Sequence, residues 1–230
     1  MGEKAESANA NITWWRENSP NWEYGEEMKI SGLRGIFDEL EAADKIGNRV
    51  VDVACGPMPV SMTLLQRKSD RKIVQIDVMD VGVDPRGFRY IRYDINNISN
   101  PRAFSTKKAL VQSARHFGID PRLGSDIAQT DTMLFFEILN YVNFREVLSN
   151  FSKYLKPGGR FIILNKPNRH PTDKVELLHP RGATSNIDLE HYLEGDFEIE
   201  QSLFPWGREE DVDNTPGEDL SMIFIVARKK

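Results

Sequence analysis

VVDVACGPMP, residues 50–59, starts as a short apolar run and ends in a turn built from small residues. Ala54, Cys55 and Gly56 leave room for a ligand against the main chain, and Gly56 can adopt backbone angles that other residues avoid. The next segment, residues 60–66, has the apolar spacing of a helix. This order of strand, tight turn and helix predicts a ligand site at the first strand of an open α/β sheet.

The composition argues against several classes of protein. A chain of 230 residues can bury one sizeable core, and a net charge of −5 with interspersed acids and bases disfavours a dedicated nucleic-acid binder. We expect a cytoplasmic protein, because no apolar run is long enough to span a membrane and the N-terminus lacks the apolar core of a signal peptide. The single cysteine and four histidines show no metal-ligand spacing, so no metal is predicted. The oligomeric state stays open.

Apolar patterns predict strands that alternate with helices along the rest of the chain. Two strand patterns, at 72–77 and 88–94, each end in an acid, Asp77 and Asp94. Alternating strands and helices favour a parallel sheet, and two final strand patterns add an antiparallel edge. The other predicted elements are helix 102–117, buried strand 132–137, amphipathic helix 144–155 stopped by the KPGG of 156–159, strand 160–165, a helix capped by Asn186 or Asp188, and strands 197–204 and 221–227.

From about Val50 to its C-terminus, the chain resembles the class I S-adenosylmethionine-dependent methyltransferases. Residues 52–57 resemble the family's first motif, although Ala54 replaces a usual Gly and Met58 stands where a small residue is common. Residues 155–163 resemble its helix-to-strand signature before the fifth strand. The resemblance implies a Rossmann-like, doubly wound, mostly parallel sheet with an antiparallel C-terminal hairpin strand. It also implies a single domain with an N-terminal helical cap at 1–46 and the core at 47–230.

The resemblance further implies S-adenosylmethionine as cofactor and S-adenosylhomocysteine as product. Asp77 is at the position that holds the ribose hydroxyls, and a strand-end carboxylate does offer two acceptor oxygens to a diol. Asp94 is at the position near the adenine amino group, or forms an Asx turn. Asp52 holds loop amides, reaches the cofactor through water or is structural. The predicted cofactor-binding residues are Asp52, Ala54, Cys55, Gly56, Pro57, Asp77, Val78, Asp94 and Ile95.

Acceptor contacts are expected after the fourth and fifth strands, where the resembling family commonly places them. Transfer of a methyl from a sulfonium needs positioning above all, and a base if the acceptor is a protonated hydroxyl. Glu137 and His170 are the candidate bases; alternatively, Glu137 is a solvated or ion-paired acid and His170 a surface residue. The predicted substrate contacts are Asn140, Tyr141, Trp15 and Tyr24; Trp15 belongs to an N-terminal tryptophan cluster that covers the site or only packs on the sheet.

The sequence therefore predicts a methyltransferase that acts on an oxygen or nitrogen of a small molecule, without specifying which molecule. One alternative is a non-catalytic S-adenosylmethionine-binding regulatory subunit, which Ala54 and Met58 keep open because both depart from the family's motif. The other is an NAD-dependent oxidoreductase. A dinucleotide fingerprint has three glycines around the turn, and here Gly56 is the only one, which disfavours that alternative.

Overall fold

The structure is a computed structural model that describes residues 23–56, 61, 64–65, 68–77, 89–92, 95, 126–166, 179–183, 185–207 and 221–230. Its description leaves out the side chains of residues 23–31, 89 and 92. The helices in these ranges are α1 (Glu23–Ala42), α2 (Phe144–Ser152) and α3 (Asn186–Asp196). The strands are β1 (Arg49–Val53), β2 (Lys72–Asp77), β3 (Arg89–Arg92), β4 (Thr130–Phe136), β5 (Leu155–Asn165), β6 (Phe197–Leu203) and β7 (Ile223–Lys229).

The described strands form one seven-stranded sheet in the order β3-β2-β1-β4-β5-β7-β6. Strands β1 to β5 pair in parallel, and β7 pairs antiparallel with both β5 and β6. This topology confirms the predicted Rossmann-like, mostly parallel sheet with an antiparallel C-terminal hairpin. The strand order reverses between β1 and β4, and in open α/β sheets such a reversal leaves a crevice at the carboxyl ends of the two strands.

Both faces of the sheet are buried, as expected for central parallel strands with helices on each side. One face packs against α2 and α3, and its buried residues include Val53 and Phe135. The other face packs against α1, whose Phe37 ring meets Phe136 and Phe224 edge-on at centroid distances of 6.0 and 6.1 Å. The described part of α1 is therefore one layer of the core, and the predicted N-terminal helix is confirmed.

The structure corrects two predicted ends of helices. Helix α2 ends at Ser152 instead of Leu155, because β5 already begins at Leu155. The cap of α3 is Ser185, whose hydroxyl accepts a hydrogen bond from the Asp188 N–H at 3.2 Å, instead of the predicted Asn186 or Asp188. Within the described residues, no helix is long and apolar enough to cross a membrane.

Strand β5 starts earlier than the sequence predicts. The KPGG segment at 156–159 was expected to end a helix before a strand at 160, but these residues belong to β5. Its pairing with β4 shifts register between Thr130 and Thr132, and Gly158 has a φ of 74°, which favours glycine. Residues 156–159 thus form an irregularity in the pairing of β4 with β5.

The amino ends of β1 and β4 approach so closely that a side chain at Gly47 would overlap Cβ of Asp131. Hydrogen bonds also join the two chain segments at this point. The Gly47 N–H donates to Thr132 Oγ1 at 3.1 Å, and the Arg49 N–H donates to Asp131 Oδ2 at 2.7 Å. Lys156 also forms an ion pair with Asp131. This contact sets the spacing of the two strands whose opposite ends flank the crevice.

Replacing Gly47 should therefore destabilise the fold. We expect Gly47→Ala to lower the free energy of unfolding by about 1–3 kcal/mol, because the added methyl forces β1 and β4 apart. Urea denaturation followed by circular dichroism measures the change. Gly35→Ala is the matched control: it lies in α1 with open space around its added Cβ, and it should stabilise the protein by about 0.5–1 kcal/mol. Equal effects of the two substitutions would contradict the proposed steric contact.

Candidate functional site

The candidate site lies at the carboxyl ends of β1, β2 and β4. In the register of the sheet, Val53 of β1 is opposite Ile76 of β2 and Phe135 of β4. The residues that follow these positions, Ala54, Asp77 and Phe136, therefore lie side by side at one edge. This edge contains the reversal of strand order, where open α/β sheets bind their ligands.

Two buried carboxylates hold the described residues that follow β1, which are 54–56 and Ser61 and which we call the β1 loop. The Gly56 N–H donates to Asp77 Oδ2 at 2.8 Å, and the Ser61 N–H donates to Asp52 Oδ2 at 3.0 Å. Gln75 of β2 adds a bond from its Nε2 to Ser61 Oγ at 3.3 Å. Asp77 thus anchors the start of the loop, and Asp52 anchors its end. Both carboxylates are almost completely buried.

Asp52 lies in an environment that disfavours its charge. Burial raises the pKa of Asp52 to about 6, against the lowering effect of its hydrogen bonds from Ser61, and the nearby charge of Asp77 raises it further. Between the unfolded pKa of 3.8 and about 6, the folded protein holds a proton that the unfolded chain has released. The contribution of Asp52 to stability therefore falls as the pH rises through this window.

The residue at the usual glycine position of the turn has a left-handed backbone. Ala54 has a φ of 55°, and Gly56, two residues later, has a φ of 64°. This conformation costs an L-residue roughly 1–2 kcal/mol, whereas glycine adopts it freely. The replacement at Ala54 thus introduces strain, although the residue is small enough to remain half-buried beside the core.

Cys55 is a packing residue of the turn. Its side chain is buried, and its N–H donates to the Ile76 carbonyl oxygen at 3.1 Å. Burial raises the pKa of the Cys55 thiol well above its usual value, and the charges of Asp52 and Asp77 act in the same direction. A nucleophilic cysteine requires the opposite environment.

A second loop, the β4 loop (residues 137–141), leaves the strand on the other side of the crevice. Glu137 has a φ of 53°, and its N–H donates to the Leu164 carbonyl oxygen at 2.8 Å. Asn140 is buried, and its side chain donates to the carbonyl oxygen of Lys166, the residue after β5. The half-buried Tyr141 closes the turn with a bond from its N–H to the Ile138 oxygen at 3.0 Å. The β4 loop is therefore fixed to the end of β5.

The structure adds a segment that the sequence analysis missed, residues 179–183. The His179 N–H donates to the Asn140 carbonyl oxygen at 3.0 Å, and the Ala183 N–H donates to the Leu139 oxygen at 2.9 Å. His179 Nδ1 accepts a bond from the Arg181 N–H at 3.0 Å, and a side chain at Gly182 would overlap the carbonyl oxygen of Asn140. The Pro-Arg-Gly sequence at 180–182 was an available turn signal.

Buried amides accompany this segment. Asn165, at the end of β5, is completely buried, and among the described residues neither of its side-chain polar atoms has a hydrogen-bond partner. Asn186, at the start of α3, donates from Nδ2 to the Ser221 oxygen at 3.0 Å. Its Oδ1 and the Oδ1 of Asn140 have no partner in the part of the chain that the structure describes. Nothing in the sequence marks Asn165 as a buried amide, because its burial depends on the packing of the sheet around β5.

The structure brings together five of the predicted cofactor residues in and beside the β1 loop: Asp52, Ala54, Cys55, Gly56 and Asp77. Three of the predicted catalytic or substrate residues, Glu137, Asn140 and Tyr141, lie together in the β4 loop. Ile95 is buried in the core on the α2 and α3 face. Outside the described residues are Trp15, Pro57, Val78, Asp94, His170 and the side chain of Tyr24. In the described part of the chain, no group of His, Cys, Asp and Glu could hold a metal.

Solved structures with this fold include several methyltransferases. The N1-methyltransferase of 1,6-didemethyltoxoflavin from Burkholderia thailandensis, crystallised with that compound and S-adenosylhomocysteine, has a TM-score of 0.60 at 15% identity over 98% of this chain and 90% of its own. The plantazolicin methyltransferase, with a substrate analogue and S-adenosylhomocysteine, has a TM-score of 0.58 at 12% identity over 100% of both chains. The magnesium protoporphyrin IX methyltransferase from Synechocystis PCC 6803, with bound S-adenosylmethionine, has a TM-score of 0.51 at 12% identity over 90% of this chain and 81% of its own.

No protein-family model and no curated protein sequence matches this chain. At 12–15% identity, the solved structures show that the chain has the fold of these methyltransferases. The fold alone does not carry an activity.

Substitution of Ala54 by glycine tests the backbone strain in the turn. We expect Ala54→Gly to change the free energy of unfolding by about 0 to +1 kcal/mol, because relief of strain offsets the extra freedom of glycine in the unfolded chain. Ala227→Gly, in β7 and at an ordinary φ, should instead lose about 1 kcal/mol. Urea denaturation compares the two variants. A loss at Ala54 as large as that at Ala227 would show that the left-handed backbone is absent.

The environment of Cys55 predicts a slow thiol. At pH 8, the native protein should react with a thiol reagent more slowly than the urea-unfolded protein, because burial raises the pKa of the Cys55 thiol and shields it from the reagent. Because Cys55 is the only cysteine, the absorbance of the thiolate released by an aromatic disulfide reagent measures the reaction of this residue alone. Equal native and unfolded rates would contradict the burial of the thiol.

Proposed function

We propose that this chain is an S-adenosylmethionine-dependent methyltransferase that acts on an oxygen or nitrogen of a small molecule. The observation that carries the proposal is the position of Asp77: a buried carboxylate at the end of β2 that holds the Gly56 amide at 2.8 Å, beside the point where strand order reverses. This arrangement places an acid and a close-approach turn at the one edge of the sheet where a nucleoside ligand can contact both.

The Asp77 carboxylate can also accept hydrogen bonds from the two hydroxyl groups of a ribose. A carboxylate has about four acceptor sites, so the bond from Gly56 is compatible with further bonds from hydroxyl groups. Its attachment to the β1 loop couples the ribose position to the turn that would hold the rest of the ligand. The bound S-adenosylmethionine and S-adenosylhomocysteine of the structural neighbours support the choice of this nucleoside.

The cofactor would supply an activated methyl group on a sulfonium, and the protein would supply position and exclude water. Asp52, Ala54, Cys55, Gly56 and Asp77 are the described residues proposed to form the cofactor side. Pro57, Val78, Asp94 and Ile95 complete the proposed cofactor set.

The acceptor side is proposed to be the β4 loop. Glu137 is the candidate base, and Asn140 and Tyr141 are candidate contacts, because their loop faces the crevice opposite the β1 loop and is fixed by the bond between Asn140 and Lys166. His170, Trp15 and Tyr24 are further proposed contacts. The compounds bound to the solved neighbours, 1,6-didemethyltoxoflavin and a desmethyl analogue of plantazolicin, support a small molecule as the substrate class.

A second candidate function is a regulatory subunit that binds S-adenosylmethionine without catalysis. The observation in its favour is the residue at the usual glycine position of the turn: Ala54 has a φ of 55°, and its methyl group limits how closely a ligand can approach the main chain. Release of S-adenosylhomocysteine from S-adenosylmethionine during an acceptor screen separates the enzyme from this alternative.

Titration calorimetry of the Asp77→Asn variant tests the proposed cofactor site. The wild type should bind S-adenosylhomocysteine, and Asp77→Asn should weaken binding by roughly 10- to 100-fold, the effect of losing hydrogen bonds to a charged group. Asp38→Asn is the matched control, because Asp38 is an exposed acid of α1, and it should bind like the wild type.

NAD serves as the competing ligand in the same titrations. Binding of NAD with no heat from S-adenosylhomocysteine would overturn the proposed function in favour of an oxidoreductase. Equal affinities of wild type and Asp77→Asn for S-adenosylhomocysteine would remove Asp77 from the site while leaving the cofactor in place.

A further inference from the structure

Asp52 is the second buried acid of the site, and the ribose contact proposed for Asp77 does not explain why Asp52 is there. Its side chain is 1% exposed, and it accepts the Ser61 N–H at 3.0 Å. Ser61 is in turn bound to Gln75 of β2. Asp52 thus determines where the β1 loop ends, and Asp77 determines where it begins. The ionisation of Asp52 controls how strongly that end of the loop is held, because a charged acceptor binds an amide more strongly than a neutral one.

The hydrogen bonds from Ser61 favour the charged form of Asp52, but its other neighbours are acidic or apolar. Strand β2 contributes the Asp77 carboxylate, and the turn contributes the Cys55 thiol. On the other side, Leu134 of β4 pairs with Asp52 and is apolar. Among the charged groups of the described residues, none forms an ion pair with Asp52. A buried carboxylate in such surroundings takes up a proton or acquires a cationic partner.

We infer that Asp52 is a positioning residue whose carboxyl group releases its proton when a cationic ligand binds at the β1 loop. The inference rests on the proposed function, because S-adenosylmethionine carries the required positive sulfonium. The balance is simple: the protonated carboxyl group becomes a carboxylate, the proton leaves to the buffer, and the sulfonium compensates the new charge. No covalent bond of the ligand changes.

The same coupling distinguishes the cofactor from its product. Loss of the methyl converts the sulfonium of S-adenosylmethionine into the neutral thioether of S-adenosylhomocysteine. The product therefore lacks the charge that favours ionised Asp52. At a pH near 6, where burial leaves Asp52 partly protonated, the cofactor should displace more protons than the product does.

The test is calorimetry of both ligands at pH 5, 6 and 7, in two buffers that differ in ionisation enthalpy. The difference in heat between the buffers counts the protons released. We expect S-adenosylmethionine to release a fraction of a proton at pH 6, and its affinity to fall by roughly five- to tenfold between pH 7 and pH 5. S-adenosylhomocysteine should show less release and a weaker pH dependence.

The Asp52→Asn variant is the matched control, because asparagine keeps an acceptor oxygen for Ser61 and does not titrate. Its affinity for S-adenosylmethionine should vary by less than about twofold over the same pH range, with no proton release from this site. The histidines stay in place, so any part of the pH profile that they produce persists in the variant. A purely structural Asp52 would instead give a variant that is weaker at every pH and has an unchanged profile.

Three results would overturn the inference. One is an affinity of the wild type that does not change with pH, and another is a pH dependence that Asp52→Asn retains; both leave the proposed function standing if the ligands bind. The third is equal proton release by the two ligands, which would show that the sulfonium charge is not sensed. Failure of both ligands to bind at any pH would instead reject the proposed function together with this inference.

Discussion

Two buried carboxylates on neighbouring parallel strands hold both ends of one loop, and the candidate site depends on this constraint. Asp77 of β2 accepts the Gly56 amide, and Asp52 of β1 accepts the Ser61 amide. The strands pair with Val53 opposite Ile76, which brings the two acids close together. The charge of Asp77 therefore raises the pKa of Asp52, and both charges raise the pKa of the Cys55 thiol. Burial makes each bond stronger and each charge more costly, so the loop is held firmly and the surroundings favour a positive ligand.

Two of the four left-handed non-glycine residues of the described chain lie at this edge of the sheet, while Asp44 and Gln129 precede β1 and β4 at the opposite end. Ala54 and Glu137, which directly follow β1 and β4, have φ values of 55° and 53°. These two strands flank the reversal of strand order, so both strained residues adjoin the crevice. The dense core beneath them holds this strain, because the apolar residues of β1 and β4 pack on both faces of the sheet. Strained non-glycine residues beside a cleft are typical of functional sites.

Much of the fold could be predicted from local patterns. All seven described strands were expected, because apolar runs of strand length mark buried parallel strands and the terminal pair alternates. The closeness of Asp52, Gly56 and Asp77 could be predicted from their positions around the first turn. The extension of β5 to Leu155 could not, because the Pro-Gly-Gly of residues 157–159 indicates a turn locally and becomes part of a strand only through pairing with β4. The cap of α3 at Ser185 was missed because Asn186 and Asp188 are equally good capping residues by type.

The sequence by itself determined the succession of strands and helices along the chain, the turn after β1 and the acids at strand ends, since periodicity and small residues act over a few neighbouring positions. Only the tertiary structure decided the torsion of Ala54, the proton affinity of Asp52 and the seating of residues 179–183 against Asn140. Each of these depends on atoms distant in sequence. The torsion of Ala54 depends on a loop held at both ends, and the proton affinity of Asp52 depends on its burial beside Asp77. The position of residues 179–183 depends on hydrogen bonds to the β4 loop, about 40 residues earlier in the chain.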